Sequence, residues 1–435
     1  MPYPNEVASG ESLIWLENSQ ALKDFKGVMR KQEHVAFNPP KLEIQRNDWC
    51  PRRVIAIDGS NITEKFDNGF PGAEAGLVMI SVILIDLECL RDIKPDEIPH
   101  PKVFRDMEKA RTVQAAVPGI GVTHKDVEND SPVNYFRRTI KETFEGHVVE
   151  NHETLLETLH YLTQNENFNP KAECPECGTR YNKGSNKCNN CNGELYPTDL
   201  LRLHEYFEEI GSCESAHARF RSALEIIILL NILRFFAKQC PAYLSDCAFV
   251  LDGPLAIFGT PASILRPVRA ELLRLNEVAR KANDGKDIVL LGVEKTGSYC
   301  DHWEQIDGDK QQGQRTKYPP KTIITPCGKY VRENIVPGSD KPHGADTHFG
   351  RYVLYKTDKG EHVVINTGML NEKSQNFNIA DEECYPRLGD ILNVMDQLAS
   401  YLYRDGFIPL IRAHANAAIP LKRGTDIIRS LMEER

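Results

Sequence analysis

The chain has 435 residues, 41% of them apolar and 26% charged, with a formal net charge of −9. Such a composition excludes a largely disordered chain, and the longest apolar stretch, Ile226 to Leu230, falls far short of the roughly 20 residues of a membrane span. The negative balance excludes coating of nucleic acid by bulk electrostatics, though not a local basic channel.

The first residues lack a basic segment followed by an apolar core and a small-residue cleavage site, so the expected compartment is the cytoplasm. Of the twelve cysteines, four form two close pairs and the others are scattered, which fits a reducing environment better than a disulfide framework.

Residues 1–50 read as an N-terminal extension packed on the core, with one helix around Ser12 to Gln32. Val54 to Ile57 is a short apolar run stopped by Asp58-Gly59, and Gly76 to Ile85 is a longer aliphatic run; together they predict an opening hairpin. From Ser131 the period turns helical, through Tyr135-Phe136, Ile140 and Phe144 and then Leu155, Leu159 and Leu162. Glu214 to Lys238 reads as one long, mostly buried helix. Ala248 to Leu251 is a strand ending at Asp252-Gly253-Pro254, Pro261 to Ala282 a crossover helix, and Ile288 to Val293 the next strand, which is βαβ grammar. Strands at Arg351 to Tyr355 and His362 to Asn366, a helix at Tyr385 to Arg404 and a last helix near the C-terminus complete an α/β layer.

The most specific local signal is Cys174-Pro-Glu-Cys177 and Cys188-Asn-Asn-Cys191, separated by ten residues. Two such knuckles can place four thiolates around one Zn²⁺, and a closed set of four leaves no open position for catalysis. Free thiols or a redox pair are the alternative. Lys171, Arg180, Lys183 and Lys187 surround the pairs, which suits DNA contact as well as an ordinary solvated surface.

A second pattern occurs twice: Val54-Ile-Ala-Ile-Asp58-Gly59-Ser60 and Ala248-Phe-Val-Leu-Asp252-Gly253-Pro254 each put an acid where an apolar strand meets a glycine. Taken alone, Asp-Gly after a strand reads as a turn. A third acid, Glu225 in Arg221-Ser-Ala-Leu-Glu225, sits at the front of an apolar helix and needs a partner or a metal; the other reading is an i,i+4 pair with Arg221. Acids of this kind can bind two divalent ions for phosphodiester cleavage. His414, at the start of the last helix, can ligate a metal or position water, although a lone histidine is more often structural. Lys295, just past a strand, can contact a phosphate. A local basic channel can draw on Arg219, Arg221, Lys295, Arg351, Lys356 and Arg412.

In this order the pieces resemble the NurA nuclease family: Ile-Asp58-Gly-Ser, Arg221-x-x-x-Glu225, Leu-Asp252-Gly-Pro-Leu, Glu-Lys295-Thr and a late Ala-His414. The resemblance covers about residues 50 to 430. It implies a ribonuclease-H-like fold, use of Mn²⁺ or Mg²⁺, degradation of DNA and pairing with a hexameric HerA ATPase. By that resemblance Asp58, Glu225, Asp252 and His414 form the catalytic metal site. Phe407 stands where the family tends to place an aromatic residue before the late histidine.

The reading is therefore an α/β protein with a ribonuclease-H-like mixed sheet flanked by helices, an inserted helical segment and a zinc ribbon. Its parts are residues 1–50 as extension, 51–130 as the first part of the core, 131–170 as helical insertion, 171–197 as ribbon and 198–435 as the rest of the core. The expected function is two-metal hydrolysis of DNA by a cytoplasmic homodimer, in end processing, repair or antiviral defence, with Lys295, Arg221 and Arg412 on the nucleic acid. The rivals are a catalytically inactive zinc-ribbon subunit that binds DNA or acts as a scaffold, and an RNA-cutting enzyme that shares the metal site and reads the 2′-hydroxyl.

Overall fold

The structure is a computed structural model, and it describes residues 10–29, 39–67, 69, 72–87, 108–164, 168, 172–308, 316–338, 341–398, 408–418 and 430. Residues 1–38 and 39–435 form separate compact units. In the first, the single expected helix is two, α1 (Gly10–Asn18) and α2 (Gln20–Val28), because Ser19 leaves helical geometry and caps Leu22 N with its hydroxyl. Residues 39–50 belong with the second unit, where Lys41 bridges Ile324 and Arg46 donates to Asn393 and to Asp396.

The core is an eight-stranded sheet in the order β3-β2-β1-β4-β5-β8-β7-β6. Its strands are β1 (Arg53–Phe66), β2 (Ala73–Asp86), β3 (Glu108–Pro118), β4 (Cys247–Asp252), β5 (Val289–Glu294), β6 (Ile323–Ile324), β7 (Gly350–Lys356) and β8 (His362–Gly368). The opening hairpin is in fact a three-stranded antiparallel meander. β4 and β5 then run parallel to β1, and β8, β7 and β6 continue antiparallel. This is the mixed sheet of a ribonuclease-H-like fold, with the parallel strands delivered by the crossover that the βαβ pattern predicts.

Side chains alternate along each strand, and each face of the sheet has its own core. Ile55, Ile57, Ile80, Phe249, Leu251 and Leu290 face α3 (Pro132–Phe144), α4 (Leu155–Thr163), α5 (Glu214–Gln239) and α6 (Leu265–Ala282). Val54, Ala56, Ala248, Val250, Leu291 and Val293 face α9 (Leu388–Leu398) and α10 (Ile408–Ala417). Between these come α7 (Ser298–Asp307) and α8 (Gly328–Asn334), against the outer strands. The α9 helix begins at Leu388 rather than at the expected Tyr385, and residues 399–407, Phe407 included, lie outside the described residues. Among the described residues no helix is long and apolar enough to cross a membrane.

Helix α5 is buried on every side from Ala223 to Arg234, so its polar residues must find partners inside. Asn231 donates to Thr158 Oγ1 at 2.9 Å, and Arg234 pairs with Glu153 and, at 2.7 Å, with Glu271. Nearer its start, His217 Nδ1 accepts from the Thr63 hydroxyl at 2.7 Å while Nε2 donates to Pro118 O. Gly76 makes room for this ring: a Cβ there would lie 2.4 Å from His217 Nδ1.

Burial pushes the His217 imidazole down to about 4, and this sets the sign of a pH effect. The unfolded chain takes up a proton below the ordinary histidine value, near 6.5, that the folded chain refuses. The contribution is therefore complete above about 6.5 and is lost as pH falls toward 4, by an amount on the order of 3 kcal/mol. Urea unfolding between pH 7.5 and 5 should show a shallower loss of stability in His217→Gln than in the unmodified chain. Equal slopes would show that His217 is not held neutral by the fold.

Candidate functional site

Strands β1 and β4 are paired in parallel up to Ile57↔Leu251, and one residue further the register sets Asp58 beside Asp252. β4 stops there, at a turn that requires glycine, since Gly253 has φ +96. β1 does not stop. Asp58 lies within the strand rather than at its end, and Gly59 is extended backbone, not a turn. The glycine is needed because helix α5 closes on it. A Cβ at residue 59 would lie 2.4 Å from both Glu225 Oε1 and Ile80 Cδ1.

From the opposite face comes α10. His414 is in its last turn rather than its start, and His414 Nδ1 is 2.9 Å from Asp58 Oδ2. The end of this helix is fixed to the strand by the Ser60 hydroxyl, which donates to Ala417 O. One donor atom from each of Asp58, Asp252 and His414 lies within 4.8 Å of the other two.

Around them is a cleft of about 490 Å³ that also exposes Arg221, Glu225, Gly253, Pro254, Val293, Glu294, Lys295 and Thr296. Two adjacent carboxylates repel, and the cations here offset that repulsion. Lys295 Nζ is 2.8 Å from Asp252 Oδ2. Arg221 donates to Gly59 O at 2.9 Å and lies 3.9 Å from Glu225. Burial, and then the charge of Asp252, push the Asp58 carboxyl up. Glu225 is pushed up to about 7, chiefly by burial and partly by Asp58 and Asp252, against the pull of Arg221. Glu225 thus adjoins the three converging donors without being one of them.

Glu294 is a site acid that sequence reasoning missed. It ends β5 as Asp252 ends β4, and its signal in the sequence is Val293-Glu294-Lys295, an acid closing an apolar strand. Its Oε1 accepts from the Tyr352 hydroxyl at 2.9 Å, its Oε2 is buried without a hydrogen-bond partner among the described residues, and burial pushes it up to about 7.

Other expected cations are elsewhere. Arg351 is buried and donates to Ser374 O and Asn376 O, and Lys356 is buried against Asp307 at 2.6 Å, so neither lines the channel. Arg219 lies over the ring of Tyr206. The side chain of Arg412, and Lys171 altogether, lie outside the described residues. A larger concavity of about 750 Å³, lined by Asp287 and Arg387, opens at the start of β5, the end of the strand opposite the cleft.

The four cysteines form a second cluster. Cys174 Sγ and Cys191 Sγ are 3.6 Å apart, as are Cys177 Sγ and Cys188 Sγ, and all four sulfurs lie within 4.8 Å of one another. Each pair belongs to a tight knuckle: Gly178 N donates to Cys174 O and Asn192 N to Cys188 O, with Gly178 and Asn192 at positive φ. The bridges Glu173↔Arg180 and Lys187↔Glu194 close two small hairpins. Buried Arg137 of α3 ties this ribbon to the helical insertion through Asp199, at 2.7 Å, and Glu194 O.

Neither a protein-family model nor a curated protein matches the chain. Among solved structures the chain is similar to the NurA nuclease from Sulfolobus solfataricus, at 9% identity and a TM-score of 0.34, over 97% of this chain and 96% of that one. With so low an identity and score, what the cleft does must be read from its own residues.

The contact at Gly59 is directly testable. Gly59→Ala should displace Glu225 or the strand and lower stability by about 1–3 kcal/mol, as overpacking of a full interior does. Thermal melting checks it, and an unchanged Tm would show that α5 does not press on β1 at this point.

Proposed function

We propose that the chain is a divalent-metal-dependent nuclease that hydrolyses DNA phosphodiester bonds. The observation that carries this reading is the convergence of Asp58, Asp252 and His414 within 4.8 Å. Two carboxylates and an imidazole are a hard, oxygen-rich donor set that suits Mg²⁺ or Mn²⁺, whereas the four thiols suit Zn²⁺. A scaffold with a dead core has no need to keep two carboxylates together against their repulsion.

A bound divalent ion would supply Lewis-acid polarisation of a phosphoryl oxygen and lower the pKa of water. The protein's own part is to hold and to neutralise. Asp58 and Asp252 would hold the cation from one face of the sheet, with His414 of α10 completing the donor set. Lys295 and Arg221 offer positive charge to a phosphate at the cleft rim. Glu225 and Glu294, both pushed up to about 7 by burial, are groups that can take up and release a proton near neutral pH. No side chain is required as a covalent nucleophile.

The proposal extends to a homodimer working with a HerA-like hexameric ATPase. A chain at −9 has little general attraction for DNA, and delivery of the strand by a motor would supply it. The ribbon, held on the insertion by Arg137, is proposed as a structural zinc site, since four thiolates leave no open coordination position.

Two outcomes test these assignments. Asp58→Asn and Asp252→Asn should each lower Mn²⁺-dependent cleavage of DNA by about 100-fold or more, the equivalent of the several kcal/mol a catalytic cation supplies, with an unchanged circular dichroism spectrum. A folded variant that cuts at the full rate would remove that residue from the site. Purified protein should hold one zinc per chain, and Cys177→Ser should lose it and make residues 172–196 sensitive to protease. Zinc-free protein with a protease-resistant ribbon would contradict the structural site.

A further inference from the structure

The loop from β4 to α6 begins at the Asp252 turn and carries Phe258 six residues on, which places that ring within about 20 Å of the acids by chain length alone. Phe258 is 42% exposed, yet its loop is held on both sides. Ile257 N donates to Thr347 O at 2.8 Å, and Ala256 bridges His348. Beyond the ring, Thr260 N donates to the Tyr206 hydroxyl at 3.1 Å, and its own hydroxyl donates to Leu201 O and Arg202 O. Gly259, at φ +76, is pressed so closely on Tyr206 that a Cβ would lie 2.1 Å from its hydroxyl oxygen. The ring of His348, itself buried, meets Phe258 edge-on at 5.6 Å and 88°. A rigid, braced loop is thus used to hold a large apolar ring out in water.

Its surroundings suit a nucleotide. Half-buried Tyr206 lies beside the loop with the Arg219 guanidinium over its ring, 5.4 Å from the centroid. Arg219 is on the same helix α5 as Arg221, which lines the cleft. Aromatic faces and guanidinium groups leading to an acidic metal-type site are what a single strand requires. Every base has a π-face to stack, and the phosphates between bases need cations. Among the described residues of the second unit, the other exposed aromatic side chain, Tyr161, is covered by its own cations, Arg234 at 3.8 Å and Arg274 at 5.9 Å. Among the described residues no cation covers Phe258 in this way.

We infer that Phe258, backed by His348 and flanked by Tyr206 and Arg219, is a stacking subsite for an unpaired base of a single-stranded DNA leading into the cleft. This rests on the nuclease reading above and adds to it that the substrate is bound as a single strand beside the site. A paired base has no open face to offer Phe258, so the subsite discriminates against intact duplex.

Binding can be measured apart from cleavage, by fluorescence anisotropy without added Mg²⁺ or Mn²⁺, with a labelled single-stranded oligonucleotide of about 15 nucleotides and its duplex. Against the single strand, Phe258→Ala should weaken binding on the order of tenfold, and Phe258→Trp should retain the unmodified affinity. All three should bind the duplex alike, and their melting curves confirm folding. Equal single-strand affinity in Phe258→Ala overturns the subsite, as does a loss shared by the duplex or not rescued by tryptophan. Unmodified protein that cuts DNA while Phe258→Ala binds normally would overturn the subsite alone. Unmodified protein that binds neither oligonucleotide and does not cut would overturn the nuclease reading with it.

Discussion

Two carboxylates held side by side are the constraint on which the rest of this structure depends. The parallel pairing of β1 with β4 reaches Ile57↔Leu251, so Asp58 and Asp252 are neighbours by register, and one of them is buried. Like charges at that separation destabilise the fold unless cations or protons offset them. The surroundings supply cations from two directions, Lys295 from the end of β5 and Arg221 from α5, and His414 of α10 shares a hydrogen bond with Asp58. Helix α10 packs over β1 and β2, with Ser60 donating to Ala417 O, and so brings His414 to the same pair of carboxylates. A fold without work for these acids would be more stable with apolar residues at both positions.

Much of this was legible because it is periodic. The apolar runs at residues 54–57, 248–251 and 288–293 are core strands, and the long apolar stretch after Glu214 is the buried helix. Asp252-Gly253 was also legible, because a turn there needs positive φ. Asp58-Gly59 has the same letters and different physics: the glycine answers to the approach of Glu225 across the sheet, a long-range contact that no local pattern carries. β3 escaped notice because Glu108-Lys-Ala-Arg-Thr-Val-Gln has little apolar alternation, as suits a strand at the sheet edge. Arg351 and Lys356 look like surface cations in sequence. Their partners, backbone carbonyls near Ile379 and the carboxylate of Asp307, are supplied only by folding.

The two donor sets differ in the same way. The thiol set is local: four cysteines within one short segment, each pair in its own knuckle, so spacing alone announces it. The oxygen-rich set is assembled from distant segments, with Asp58 and His414 separated by 356 positions, and only the ordered series of short motifs hinted at it. Their chemistry keeps them distinct. The four thiols are a soft, closed set in a module that Arg137 docks on the helical insertion, while the carboxylates are a hard set that lines an open cleft.

The central claim is that the cleft at the ends of β4 and β5 holds a divalent cation between Asp58 and Asp252. Anomalous diffraction from crystals equilibrated with Mn²⁺ tests it most directly, because it locates the ion without reference to activity. The account predicts a manganese peak at ordinary coordination distance, roughly 2.0–2.3 Å, from carboxylate oxygens of both residues, with His414 in or beside the coordination sphere. Manganese absent from that position while Asp58 and Asp252 remain in place, or bound only at acids elsewhere on the surface, would contradict it.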